Sequence, residues 1–147
     1  NECIPIGKSK AILKGKKIAY MVFGTLLKIV LDVAKGNGAT VIDMRFVKPI
    51  DEDVIISLCQ TYEYIFTVED NVILGGAGSA VNEVINKNKL SKNIVNIGVP
   101  DKIVPHGNQD EILSDLGLDA AGIAKATNDH IEKMGNINNR ENALKGK

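Results

Sequence analysis

The residues with the most chemical potential fall in two adjacent stretches. Glu69-Asp70 places two carboxylates side by side, and Gly75-Gly76-Ala77-Gly78-Ser79 follows a few residues later. An acidic pair at a strand end can supply a general base or metal ligands, although neighbouring carboxylates in a loop are more often only hydrated. A glycine run between a strand and a helix is the setting of a phosphate-binding turn. Here the third glycine is missing, the connection to the strand is long, and no acidic residue follows at the usual spacing. A helix start that permits close backbone packing is the better reading. His106 and His130 lack the spacing of a zinc site. His106 falls in a loop and is the better functional candidate, and His130 lies on a helix and is expected to be half-exposed. Ser79 has no G-x-S-x-G frame. The residue types alone therefore give no self-sufficient active site.

The elements that must position these groups alternate between strand and helix. The near-continuous apolar run at 17–23 reads as a strand covered on both faces. Thr25 is a candidate cap for a helix whose apolar positions include Leu26, Ile29, Val30 and Val33, ended by Gly36 and Gly38. Residues 40–44 form a second strand. Asp51 occupies an N-cap position with Glu52 and Asp53 in the first turn, and Ile55, Leu58, Cys59 and Tyr62 face inward. Residues 64–68 and 94–99 are further strands, with a helix carrying Val81, Val84 and Ile85 between them. Asn108 opens a short helix, and Asp119 caps a last one, closed by Gly135.

The expected fold is α/β: three layers, doubly wound, with a mostly parallel sheet and helices on both faces. Residues 1–16 form a lead-in segment with a possible edge strand flanked by lysines, 17–135 the α/β domain, and 136–147 a polar tail without periodicity, expected to be disordered.

The bulk composition excludes several functions. Eighteen basic residues balance eighteen acidic ones, and aromatics are 4% of the 147 residues, so neither a net field nor stacking platforms favour nucleic acid. No apolar run reaches the length of a membrane span. Cys3 and Cys59 lack a C-x-x-C partner, which fits free thiols in a reducing cytosol or organelle stroma. A chain opening at Asn1 without an initiator Met reads as a fragment.

Taken in order, several runs resemble the 1-deoxy-D-xylulose-5-phosphate synthase C-terminal domain family, of the transketolase type. They are Gly24-Thr25; Asp43-Met44-Arg45-Phe46-Val47-Lys48-Pro49-Ile50-Asp51; Thr67-Val68-Glu69-Asp70-Asn71; Gly75-Gly76-Ala77-Gly78-Ser79; Asn96-Ile97-Gly98-Val99-Pro100-Asp101; and 116–123. The family commonly has two glutamates where this chain has Glu69-Asp70. The resemblance implies an antiparallel edge strand, with 10–14 the candidate, and an enzyme that condenses pyruvate with glyceraldehyde 3-phosphate, losing carbon dioxide, in isoprenoid, thiamine and pyridoxal precursor synthesis. It further implies thiamine diphosphate and Mg2+ bound by preceding domains, a homodimer, and a cytoplasmic (or, in a eukaryote, plastid-type) location. No catalytic, cofactor-binding or metal-binding residue carries over to this chain. Rival readings are the C-terminal part of another transketolase-type enzyme or of a 2-oxo acid dehydrogenase β chain, and a stand-alone nucleotide or regulator module.

Arg45, Glu69, Asp70, Asn71, Gly75, Gly76 and Gly78 are the candidate contacts with other domains, because apolar Val72, Ile73 and Leu74 separate the acidic pair from the glycines. Arg45 pairs either with a carboxylate across such a contact or with Glu69 inside the domain.

Overall fold

The computed structural model of the protein describes residues 3–104 and 106–145. Its elements run β1 Lys10–Leu13, β2 Ile18–Phe23, α1 Leu27–Asn37, β3 Thr40–Asp43, α2 Glu52–Thr61, β4 Tyr64–Val72, α3 Ala77–Lys87, β5 Ile94–Val99, α4 Gln109–Asp115 and α5 Ala120–Lys145. The sheet order is β1-β3-β2-β4-β5. β1 pairs antiparallel with β3, and the other neighbours are parallel. The three-layer, mostly parallel sheet with one antiparallel edge strand is therefore the observed fold.

β2 explains why the sheet must be covered on both sides. All six of its residues are buried, and successive side chains point to opposite faces. Tyr20 and Val22 join Val30, Val33 and Ile123 in the core under α1 and α5. Ala19, Met21 and Phe23 join Ile55, Leu58, Val81 and Val84 under α2 and α3.

Four local expectations need correction. α1 is preceded by Leu26 at its N-cap rather than Thr25; Gly36 lies within the helix, and the left-handed cap falls on Gly38. Asp51 stands at the N-cap of α2 but its carboxylate makes no capping bond. β4 runs four residues past Val68, so Glu69, Asp70 and Asn71 are strand residues and not a hydrated loop. α5 passes through Gly135 and makes the polar stretch helical to Lys145, with residues 146 and 147 outside the described residues. A single glycine costs a helix only about 1 kcal/mol relative to alanine, and no proline stops the stretch.

Candidate functional site at the carboxyl ends of the strands

Parallel strands bring their carboxyl ends to one rim, where ligands of such sheets usually gather. β2, β3, β4 and β5 all end there. Because β1 is antiparallel, it begins there: Lys10 pairs with Asp43 at the end of β3. The lead-in segment therefore reaches the sheet on the same side as the acidic pair.

The period of two in β4 sends its two carboxylates to opposite faces. Glu69 has the parity of Ile65 and turns toward α3. It is only 2% exposed. Its Oε2 accepts the Ala77 N–H at 2.7 Å and its Oε1 the Gly78 N–H at 2.9 Å. It thus caps the helix from eight residues upstream, placing negative charge against the positive end of the dipole. The amides that a phosphate would need are already taken by the protein's own carboxylate. Gly76 and Gly78 are small for the same reason. A Cβ on Gly76 would collide with the Glu69 carboxylate and the Val72 carbonyl, and one on Gly78 would lie 2.7 Å from Thr67 Oγ1. The glycine run serves close packing of α3 on β4.

Asp70 has the opposite parity and reaches Thr25 at the end of β2. Its Oδ2 accepts the Thr25 amide at 2.8 Å and the Thr25 hydroxyl at 2.6 Å. Burial raises the Asp70 carboxyl, but these two donors outweigh it and leave the group below the usual carboxylate range. Thr25, read as a helix cap, is instead one half of a clip between strand ends.

Inside the domain Arg45 pairs with Asp43 and not with Glu69. Its Nε lies 3.6 Å from Asp43 Oδ2, and its amide donates to Asp43 Oδ1 at 3.2 Å. The residue sits at φ 59° in a tight turn leaving β3. Asn71 is exposed and accepts the amide of Val72. The Gly75 amide donates to Ser79 Oγ. Glu69, Asp70, Asn71, Gly75 and Gly76 together line an open depression of about 330 Å³ with Phe23, Gly24, Val47 and Ala77.

Asp51 holds the N-cap position of α2, but its carboxylate bonds elsewhere. It is buried and accepts the Ser9 amide at 2.8 Å, the Ser9 hydroxyl at 3.0 Å and Lys8 Nζ at 3.5 Å. Burial raises the Asp51 carboxyl, but the Ser9 and Lys8 donors prevail and hold it below the ordinary value. This clamp fixes the lead-in to the rim beside Pro49. Its signal was hidden because the partner lies 42 residues earlier in the chain.

The two histidines make no bond to these carboxylates among the described residues. His106 is exposed after β5. His130 packs edge-on against Tyr64 and Phe66 on the α5 side of the sheet. Among the described residues no group of three His, Cys, Asp or Glu could hold a metal ion, and no helix is long and apolar enough to cross a membrane. With the α3 amides given to Glu69 and Asp70 given to Thr25, these residues do not fit a diphosphate or its Mg2+.

The chain is similar to known proteins along most of its length. The family model described as transketolase, C-terminal domain, matches residues 7–123. The 1-deoxy-D-xylulose-5-phosphate synthase of Haemophilus influenzae is 50% identical over 136 residues, which is 92% of this chain and 22% of that protein. The synthase of Proteus mirabilis is 50% identical over 123 residues, 84% of this chain and 20% of that protein. The chain thus spans about one-fifth of the length of the curated relatives it matches. A solved structure described as split gene transketolase, inactive beta4 tetramer, aligns with a TM-score of 0.79 at 26% identity, covering 86% of this chain and 43% of that one. The resemblance to the synthase C-terminal domain extends along nearly the whole sequence, and the chain belongs to the transketolase C-terminal domain family.

Proposed function

We propose that this chain is the C-terminal, structural domain of a 1-deoxy-D-xylulose-5-phosphate synthase. In this reading the full-length enzyme is a thiamine diphosphate-dependent transferase that joins pyruvate to glyceraldehyde 3-phosphate with loss of carbon dioxide. Its thiamine diphosphate and Mg2+ are held by domains preceding this one, and it works in the cytoplasm as a homodimer. The domain contributes shape and contacts, through the rim that holds Arg45, Glu69, Asp70, Asn71, Gly75, Gly76 and Gly78. The observation that carries the reading is the 50% identity to such a synthase over 92% of the chain. It is supported by a rim whose carboxylates are bonded to the domain's own amides and hydroxyls, leaving neither Glu69 nor Asp70 as a ready base.

The test compares the purified 147-residue chain with the full-length product of its gene, each supplied with pyruvate, glyceraldehyde 3-phosphate, thiamine diphosphate and Mg2+. Product is expected from the full-length protein and none from the chain. Turnover by the chain would overturn the structural role, and a full-length protein that makes no 1-deoxy-D-xylulose 5-phosphate would overturn the synthase assignment.

A further inference from the structure

Large apolar side chains are unevenly distributed over the surface. Seven are exposed among the described residues, and Ile12 and Ile137 are two of them, on the edge strand and on α5. The other five are Ile4, Ile6, Val47, Leu74 and Ile103, with Ile6 77%, Leu74 71% and Ile103 96% exposed. Each belongs to a segment entering or leaving the carboxyl-end rim. Ile4 and Ile6 lie in the lead-in, Val47 follows β3, Leu74 follows β4, and Ile103 follows β5.

These segments touch one another in sequence across the sheet. Gly7 abuts Pro49, two residues from Val47. Val47 shares the rim depression with Gly24, Gly75 and Gly76. Leu74 precedes Gly75, and the Ile73 amide bonds to the Val99 carbonyl at 3.0 Å, from which the loop to Ile103 departs. An apolar band of this extent in water marks an interaction surface. Glu69 is not part of its contact layer, since it is buried beneath it, whereas Asp70 is exposed at its edge.

The path of the chain selects the occupant. Ser9 and Lys8 are fastened to Asp51, so any polypeptide ahead of residue 3 starts from the rim. The matching synthases are about four times as long as this chain. We propose that the apolar carboxyl-end rim is the seat of the synthase's own preceding domains, contacted within one subunit, and not the contact with a second copy. This rests on the synthase reading above. Attachment through a lead-in fastened at the rim keeps those domains at high effective concentration over it, which a second subunit does not share.

Hydrogen exchange on the full-length synthase tests this. The amides of 72–76 and 101–104 are expected to exchange slowly in the wild type. In the double variant Val47→Asp, Leu74→Asp they are expected to exchange about tenfold or more faster, with oligomeric mass unchanged. Ile12→Asp, outside the band, is expected to leave rim exchange unaltered. Rim amides already fast in the wild type, or unaltered by the double variant, would overturn the proposal, as would loss of the oligomer. A benzophenone amino acid in place of Leu74 gives a second reading. A cross-link within one chain supports the proposal, and one between chains, or none, overturns it. Product formation assayed on the same wild-type sample separates the two questions, because its absence removes the synthase assignment while the exchange and cross-link results still report what covers the rim.

Discussion

On one face of the sheet, α1 and α5 cover a core that includes polar groups. The Tyr20 hydroxyl lies 2.7 Å from Thr127 Oγ1 and accepts from Asn37 Nδ2 at 3.0 Å, tying β2, α5 and the end of α1 together. On the other face, α2 and α3 cover Met21, Phe23, Ile42 and Ile65 with aliphatic side chains. The polar bonds that the flanking segments make there lie at the two ends, Glu69 to α3 at the rim and Thr40 with Tyr62 at the opposite end, while Thr67 bonds to Asn96 between neighbouring strands. The contrast follows from the helices. α3 presents Ala77, Val81, Val84 and Ile85 as a buried stripe, so apolar burial can set its position. α5 is long and mostly polar, and Ile123 and Thr127 are its buried contacts with the sheet side. A directional bond from Thr127 supplies the register that non-directional packing alone would leave loose.

The largest expected effect tests the first face. Phe66 is fully buried, with its ring centroid 5.5 Å from Tyr20 and 5.6 Å from His130. Phe66→Ala removes that packing and leaves a cavity beside the polar network. The expected loss is ~3–5 kcal/mol, a fall in melting temperature of roughly 10 °C or more. A melting temperature within a degree of wild type would mean that α5 and the Tyr20 bonds, rather than the aromatic cluster, support this face.

The second effect belongs to the α3 side. Glu69→Gln keeps the shape but turns one acceptor oxygen into a donor, so that one of the Ala77 and Gly78 amides faces a donor in a buried site. The expected loss is about 1–3 kcal/mol by denaturant titration. Because apolar contacts hold the rest of α3, the loss is expected to be localised. Exchange of the first-turn amides of α3 accelerates while that of Val84 and Ile85 stays slow. If the whole helix loses protection together, the carboxylate rather than the apolar stripe fixes α3, and the contrast between the faces fails.

What the sequence showed and hid divides along similar lines. Strand and helix alternation, the buried β2 run and the antiparallel edge were readable because periodicity reports burial, and burial here is layered simply. Bonds between residues far apart in the chain were not. Thr25 and Asp51 read locally as caps, and Asp51 does hold the N-cap position, but their side chains bond to Asp70, 45 residues away, and to Ser9, 42 residues away. The adjacency of Glu69 and Asp70 suggested shared chemistry, whereas strand parity turns their side chains to different partners, α3 for Glu69 and Thr25 for Asp70. The run at Gly75–Gly78 was correctly read as close packing, but its partner, the Glu69 carboxylate, became visible only once β4 was seen to extend past Val68.

The smallest effect is in pH dependence, and it separates the faces most cleanly. His130 lies under α5 against Tyr64 and Phe66, and burial, then the Lys133 cation, lowers its pKa from the ordinary 6.5. The folded state therefore takes up the proton less readily than the unfolded chain. Above about pH 6.5 both states hold neutral imidazole and the full stability is present. As pH falls below that value the unfolded chain is protonated first, and stability declines until the folded histidine also titrates. The group is only partly buried, so the decline is expected to be modest, well under that of Phe66→Ala. Denaturant midpoints measured between pH 7.5 and 5 are expected to drop for the wild type and to drop less for His130→Phe. In the Glu69→Gln background the histidine component should be unchanged, because the two groups lie on opposite faces of the sheet and share no partner. A histidine component altered by that substitution would show that the two faces are coupled through β4.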